Sequence, residues 1–228
     1  MDPQSLQAAY VLHTRRYGDS SLIVDLFTRG QGRVACIAKG ALRSRRPDAR
    51  MQSFQTLLVG LRGRGEVLTL THAESGGAPQ PFSGRNLYCG LYLNELVLKL
   101  TARQDACAGL FDDYALAIQG LSGAEQVEPV LRRFEVRLLS HLGLGLALEL
   151  DNTGQPILAD SSYTYDVDSG ATLAGGERQN ALSGRALLAL RMGVFEDDAC
   201  LQQARWLMRR VLDHHLDGRR LHSRELFR

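Results

Sequence analysis

From Tyr17 to Arg50 the chain reads YGDSSLIVDLFTRGQGRVACIAKGALRSRRPDAR, and this stretch restricts the fold more than any other. Leu22 to Phe27 and Arg33 to Ala38 are apolar runs of strand length, separated by the glycine-punctuated Thr28-Arg29-Gly30-Gln31-Gly32, so the pair predicts a β-hairpin. Behind it the chain turns cationic: Lys39, Arg43, Arg45, Arg46 and Arg50 follow with Asp48 as the one acid among them. A hairpin running into a basic loop can hold a polyanion without any catalytic group. Charge alone leaves a solvated surface loop as an equal reading.

Three further strands flank the hairpin. Residues 8–13 read as the first strand, and residues 54–60 and 66–71 as the fourth and fifth, joined by Arg62-Gly63-Arg64-Gly65. Five short strands with Gly-rich turns within about 75 residues suit a small closed barrel of the OB type. Such barrels bind single strands by combining cations for the backbone with rings for the bases. The rings at hand are Tyr10, Tyr17, Phe27 and Phe54. Phe27 is expected in the core, and Tyr17, beside Arg15 and Arg16, is the best stacking candidate. Lys39, Arg43, Arg45 and Arg46 are the expected phosphate contacts, with Arg15, Arg33, Arg62 and Arg64 as weaker ones.

Ser75-Gly76-Gly77-Ala78-Pro79-Gln80-Pro81 suits neither a helix interior nor a central strand and predicts a boundary near Pro79. The expectation is an α+β chain: a barrel domain over 1–78 and a mainly helical domain over 79–228. Residues 85–101, apolar around most of the circumference, predict a buried central helix. Residues 105–120, 129–142, 183–192 and 198–216 predict four more, with Asp197 or Asp198 as N-cap and Gly218 as C′ residue of the last. In the helix over 129–142 the stripe is Val130, Leu131, Phe134, Leu138 and Leu142; Arg132, Arg133 and Arg137 lie off it, so at least two should reach solvent. A small hairpin insertion is expected over 147–176.

Net charge is only +2. Its distribution says more: residues 1–81 hold 11 Arg and Lys against 6 Asp and Glu, the remainder 16 against 19. The first segment is therefore the expected polyanion contact. Cys36, Cys89, Cys107 and Cys200 show no CxxC spacing, so they read as free thiols with no zinc site. No signal peptide or membrane span is written in the chain, which predicts a cytoplasmic protein. No phosphate-binding glycine loop occurs. The acidic pairs Asp112-Asp113, Asp166 with Asp168, and Asp197-Asp198 fit capping and turns, which argues against a metal-dependent nuclease.

Several motifs together resemble the RecO family of recombinational DNA-repair proteins: Tyr17-Gly18-Asp19-Ser20-Ser21, Phe27-Thr28, Gly32, Ala38-Lys39-Gly40-Ala41, Phe54, Gly63-Arg64-Gly65-Glu66, Leu70, Glu74, Leu87-Tyr88, Gly90-Leu91-Tyr92, Asn94-Glu95-Leu96, Arg132-Arg133-Phe134-Glu135, Leu138-Leu139, Leu142-Gly143 and Ser223-Arg224-Glu225-Leu226. The resemblance implies an OB-type first domain and a non-enzymatic, nucleoid-associated mediator without cofactors. It would bind single- and double-stranded DNA and anneal complementary strands. It would bind the acidic C-terminal tail of single-stranded-DNA-binding protein, partner RecR, and help load RecA. The tail is expected on Arg132, Arg133 and Arg137, with Leu116, Leu121 or Phe111 as apolar walls. Many members carry zinc-binding cysteine pairs where this chain reads Leu150-Asp151-Asn152-Thr153-Gly154, so no metal is expected. The other reading kept open is an OB-fold RNA-binding module acting on tRNA or ribosomes.

Overall fold

The computed structural model describes residues 6–43, 51–123, 126–175 and 180–227. Five strands, β1 (Gln7–Tyr17), β2 (Ser21–Thr28), β3 (Gly32–Ala38), β4 (Leu57–Arg62) and β5 (Val67–Ser75), close into a barrel in the order β1-β2-β3-β5-β4. β3 pairs parallel with β5, and β4 closes the barrel antiparallel to β1. Alternation explains the interior. Ala9, Val11, Val24, Leu26, Val34, Cys36, Leu57 and Val59 point inward and are fully buried. Burial pushes the Cys36 thiol up to about 12, so it packs as a small hydrophobe. The expected OB-type barrel followed by helices is what the chain forms.

The chain gathers into two compact units, Met1–Gly123 with Leu221–Arg228, and Ala124–Arg220. The expected change from strands to helices near Pro79 is present, but the compact units do not part there. The first two helices, α1 (Gly84–Leu100) and α2 (Ala108–Leu121), pack with the barrel instead. Aromatic rings supply the reason. Phe111 and Tyr114 of α2 meet Tyr10 and Phe27 at centroid distances of 5.1–5.6 Å, two of the pairs edge-on.

Helix α1 is the strut of this unit. The β1–β2 register shifts between Val11 and His13, a β-bulge that leaves Leu12 without a cross-strand partner. Asn94, itself buried, donates its amide to the carbonyls of Leu12 at 3.0 Å and Val11 at 3.4 Å, and accepts from the Tyr114 hydroxyl at 2.5 Å. The next residue, Glu95, faces the C-terminus. Its carboxylate accepts from Ser223 N and Oγ at 2.8 and 2.6 Å and from His222 N at 2.9 Å, holding a 3-10 helix, His222–Phe227, and it pairs with Lys99 at 2.9 Å. Phe54 adopts a left-handed φ of 66° and is buried against Phe82, where its ring lies across Gly90; a Cβ at 90 would come within 2.7 Å of it.

The second unit holds α3 (Glu128–His141), strands β6 (Ser162–Asp166), β7 (Gly170–Leu173) and β8 (Leu182–Ser183), and helices α4 (Gly184–Met192) and α5 (Asp198–Leu216). The expected hairpin is β6–β7, its turn held by Asp166 Oδ1, which accepts from Asp168 N, Ser169 N and Ser169 Oγ. The strand β8 adds to it, giving a sheet of order β7-β6-β8. Two residues are too short for a sequence pattern to show, and Ser183 doubles as the N-cap of α4, accepting from Ala186 N. Asp197 caps α5 by accepting from Cys200 N at 2.7 Å. Asp112, read as a helix-start residue, instead forms a forked ion pair with Arg29 at 2.8 and 3.1 Å.

Candidate nucleic-acid interface

The predicted cations fall into two groups. The first surrounds the β1–β2 turn. Arg16 is level with Leu22, and Leu22 with Ala38, so the end of β1 and the end of β3 flank the start of β2 at one end of the barrel. The loop after β3 is tied to that turn by Leu42 N donating to Ser20 O at 3.0 Å. Arg15, Arg16, Tyr17, Lys39 and Arg43 are all exposed there. Tyr17 is 52% exposed, whereas Tyr10, Phe27 and Phe54 are buried. Of the four rings, Tyr17 is the one a base could stack on. Arg45 and Arg46 lie outside the described residues.

The second group is the β4–β5 turn. Arg62 and Arg64 are exposed, held among glycines in left-handed backbone, Gly63 at φ 127° and Gly65 at φ 117°. Ala35 pairs with Val67, so β5 begins alongside β3 two residues past Arg33. Yet Arg33 is not an open phosphate contact. It is half-buried, and its Nη2 donates to Thr101 O at 2.8 Å. Burial, and after it the neighbouring Arg103, lower its basicity against the opposing pull of Asp25. A strand-end position suggested exposure; the connector packed beside β3 removes it. Gly32 shows how close that connector comes: a Cβ there would lie 1.9 Å from Asp105 O.

The expected tail site on α3 divides. Arg133 and Arg137 are exposed. Arg132 is buried and spent on Glu135 at 2.7 Å, with side chains 7% and 0% exposed. Its place off the apolar stripe misled because the second flank of α3 is covered too. Phe111 and Leu121 are buried in the barrel unit and offer no open wall, while Leu116 is 63% exposed on α2. Sequence reasoning missed Met192 and Val194, exposed by 72% and 59% at the end of α4. Between them Gly193 has φ 69°, and a Cβ there would sit 2.5 Å from Arg133 Cγ, so the Arg133 stem lies across the glycine. A helix-ending glycine was the available signal.

Residues 150–154 do not fit zinc. Asp151 Oδ1 is taken up by Thr153 N, Thr153 Oγ1 and Gln155 N at 2.7–2.9 Å, closing a turn. Among the described residues no group of three or more His, Cys, Asp or Glu stands together to hold a metal ion. Among them, too, no helix is long and apolar enough to cross a membrane.

A closed OB-type barrel edged by arginines and carrying a helical second unit defines a class of protein rather than a member. Family models narrow it: Recombination protein O N terminal matches residues 1–77, and Recombination protein O C terminal matches residues 81–225. The chain is 43% identical to the DNA repair protein RecO of Methylococcus capsulatus, covering 98% of this chain and 93% of that one. It is 41% identical to that of Aromatoleum aromaticum (97% and 94%) and 42% identical to that of Klebsiella pneumoniae (97% and 92%). The chain belongs to the RecO family.

Proposed function

We propose that this chain is a DNA-repair and recombination mediator that acts by holding DNA, without catalysing a reaction. The observation that carries it is the exposed ring of Tyr17 among Arg15, Arg16, Lys39 and Arg43 at one end of the barrel. A ring amid cations suits a single strand, whose bases stack while its phosphates are neutralised. The barrel, residues 1–78, is the DNA-binding domain in this reading, with Arg45 and Arg46 as further phosphate contacts beside those of the first group and Arg62 and Arg64 as those of the second. Annealing follows physically: two strands repel, and a cationic surface that screens both lowers the cost of their meeting. RecR and, indirectly, the RecA filament are the protein partners in this reading.

The acidic tail of single-stranded-DNA-binding protein is assigned to Arg133, with Arg137 beside it one turn on. A tail ending in Phe needs a cation for its carboxylate and an apolar bed for its ring. Arg133, lying across Gly193 between Met192 and Val194, offers both. Arg132 belongs to the core in this assignment.

The test is fluorescence annealing of complementary oligonucleotides, with EDTA and with an RNA competitor. Expected are accelerated annealing that EDTA leaves unchanged and weak competition by RNA. Divalent-metal-dependent cleavage would favour a nuclease, and tight preference for RNA the RNA-binding module. Lys39→Ala, Arg43→Ala and Arg45→Ala combined should lower the log-log salt slope by about 2.

A further inference from the structure

The connector joining α1 to α2, residues 101–107, reaches the β4–β5 turn. Gln104 holds a left-handed φ of 55°, a conformation that costs a side-chain-bearing residue energy and survives where surroundings enforce it. Its amide Nε2 donates to Gly65 O at 2.6 Å, and its backbone N donates to Arg33 O at 2.8 Å. One residue thus fastens the connector to both the turn and the edge of β3. Arg103, adjacent to it, forms a parallel backbone bridge with Arg33 and is exposed. The two cations sit together, with Asp25 the weaker influence on Arg33, and the buried Arg33 Nε has no hydrogen-bond partner among the described residues. Arg64 precedes the glycine that Gln104 grips. Glu66 follows on the same turn, and Asp105 on the connector, so acids are present, and both are exposed. Like charges gathered by backbone pairing repel unless an anion lies between them.

We infer that Arg103 is a phosphate contact for a single strand crossing the β4–β5 turn, and that Gln104 is the positioning residue that locks that turn to the connector. The inference rests on the proposed DNA binding by the barrel. It adds a contact from outside the barrel, on a stretch between helices that charge counting along the chain passes over. The occupant is the phosphodiester backbone, because the cations contributed by Arg62, Arg64 and Arg103 outnumber the acids and the turn offers no exposed ring.

The experiment is anisotropy of a labelled oligothymidylate with the full chain across a salt series. Its variants are Arg103→Ala, Gln104→Gly, their combination, and Lys39→Ala with Arg43→Ala as control. Gly accepts the left-handed backbone, so Gln104→Gly removes the bond to Gly65 without adding strain. Arg103→Ala should lower the slope by about 0.7 and weaken binding several-fold. Gln104→Gly should weaken binding at an unchanged slope, and the combined loss should be less than additive, as expected if Gln104 acts through Arg103. If the control flattens the slope while Arg103→Ala binds like wild type, the connector is not a contact and this inference falls alone. If wild type shows no salt-dependent binding, the inference and the DNA-binding reading fall together. Additive losses would overturn the positioning role of Gln104.

Discussion

Helices α1 and α3 both bury polar side chains, and they use them differently. On α1, Asn94 and Glu95 reach partners far along the chain: the bulge carbonyls of β1 and the C-terminal 3-10 helix. On α3, Arg132 Nη2 donates to Glu135 Oε1 one turn away, a local ion pair. The first arrangement fastens separate segments into one unit; the second neutralises charge that a covered helix would otherwise strand. The difference teaches that burial of a polar group says nothing of its purpose until its partner is known.

The contrast is most easily broken on α3. Arg132→Ala leaves Glu135 buried without its guanidinium and should cost about 3–5 kcal/mol in denaturant unfolding. Replacing both, as Arg132→Met with Glu135→Leu, should recover stability to within about 1 kcal/mol of wild type. A double variant as unstable as the single one would mean that the pair fastens something beyond itself. Arg132→Ala is accordingly a poor probe of tail binding, since it confounds folding with contact.

On α1, Asn94→Ala removes the bonds to the Val11 and Leu12 carbonyls and to the Tyr114 hydroxyl, and should destabilise the barrel unit by about 2 kcal/mol. Hydrogen exchange should show the loss at β1 and α2 together, because one side chain serves both.

A smaller effect belongs to Glu95. Partial burial works against its charge, but hydrogen bonds from Ser223, Lys99 and His222 outweigh it and hold the carboxyl at about 2, against an ordinary 4.5. A depressed carboxylate contributes stability that is present above about 4.5 and is lost as pH falls toward 2. The share is about 1–2 kcal/mol after screening by solvent. The C-terminal 3-10 helix should therefore become protease-sensitive at the acid end of that window, and Glu95→Gln should make it so at neutral pH.

Smallest in stability is Arg133→Ala, expected within about 0.5 kcal/mol of wild type because the side chain is exposed. Binding of a labelled acidic tail peptide should fall roughly tenfold, with naked-DNA affinity unchanged. A peptide that binds this variant as tightly as wild type would move the tail elsewhere.

How much of this was legible differs by element. The barrel was readable because alternation and glycine turns are local signals: Val24, Leu26, Val34 and Cys36 face inward as their spacing demands. Helix α5 was readable from its cap, with Asp197 in place. In the candidate site, Lys39, Arg43, Arg62, Arg64 and Tyr17 are as exposed as strand-end and loop positions suggest. Arg33 and Arg132 are not, since each is covered by a segment that its own periodicity cannot foresee.

By itself, then, the sequence determined which residues share a face, because that follows from backbone geometry at separations of two to four positions. It also carried Asn94-Glu95 and Ser223-Arg224 as separate motifs. Only the tertiary structure decided that Glu95 and Ser223 are two halves of one contact, and that Gln104 grips Gly65. Such pairings depend on which distant segment closes over a face, and hydrogen bonds of 2.6–2.8 Å form only once the fold has brought both partners there.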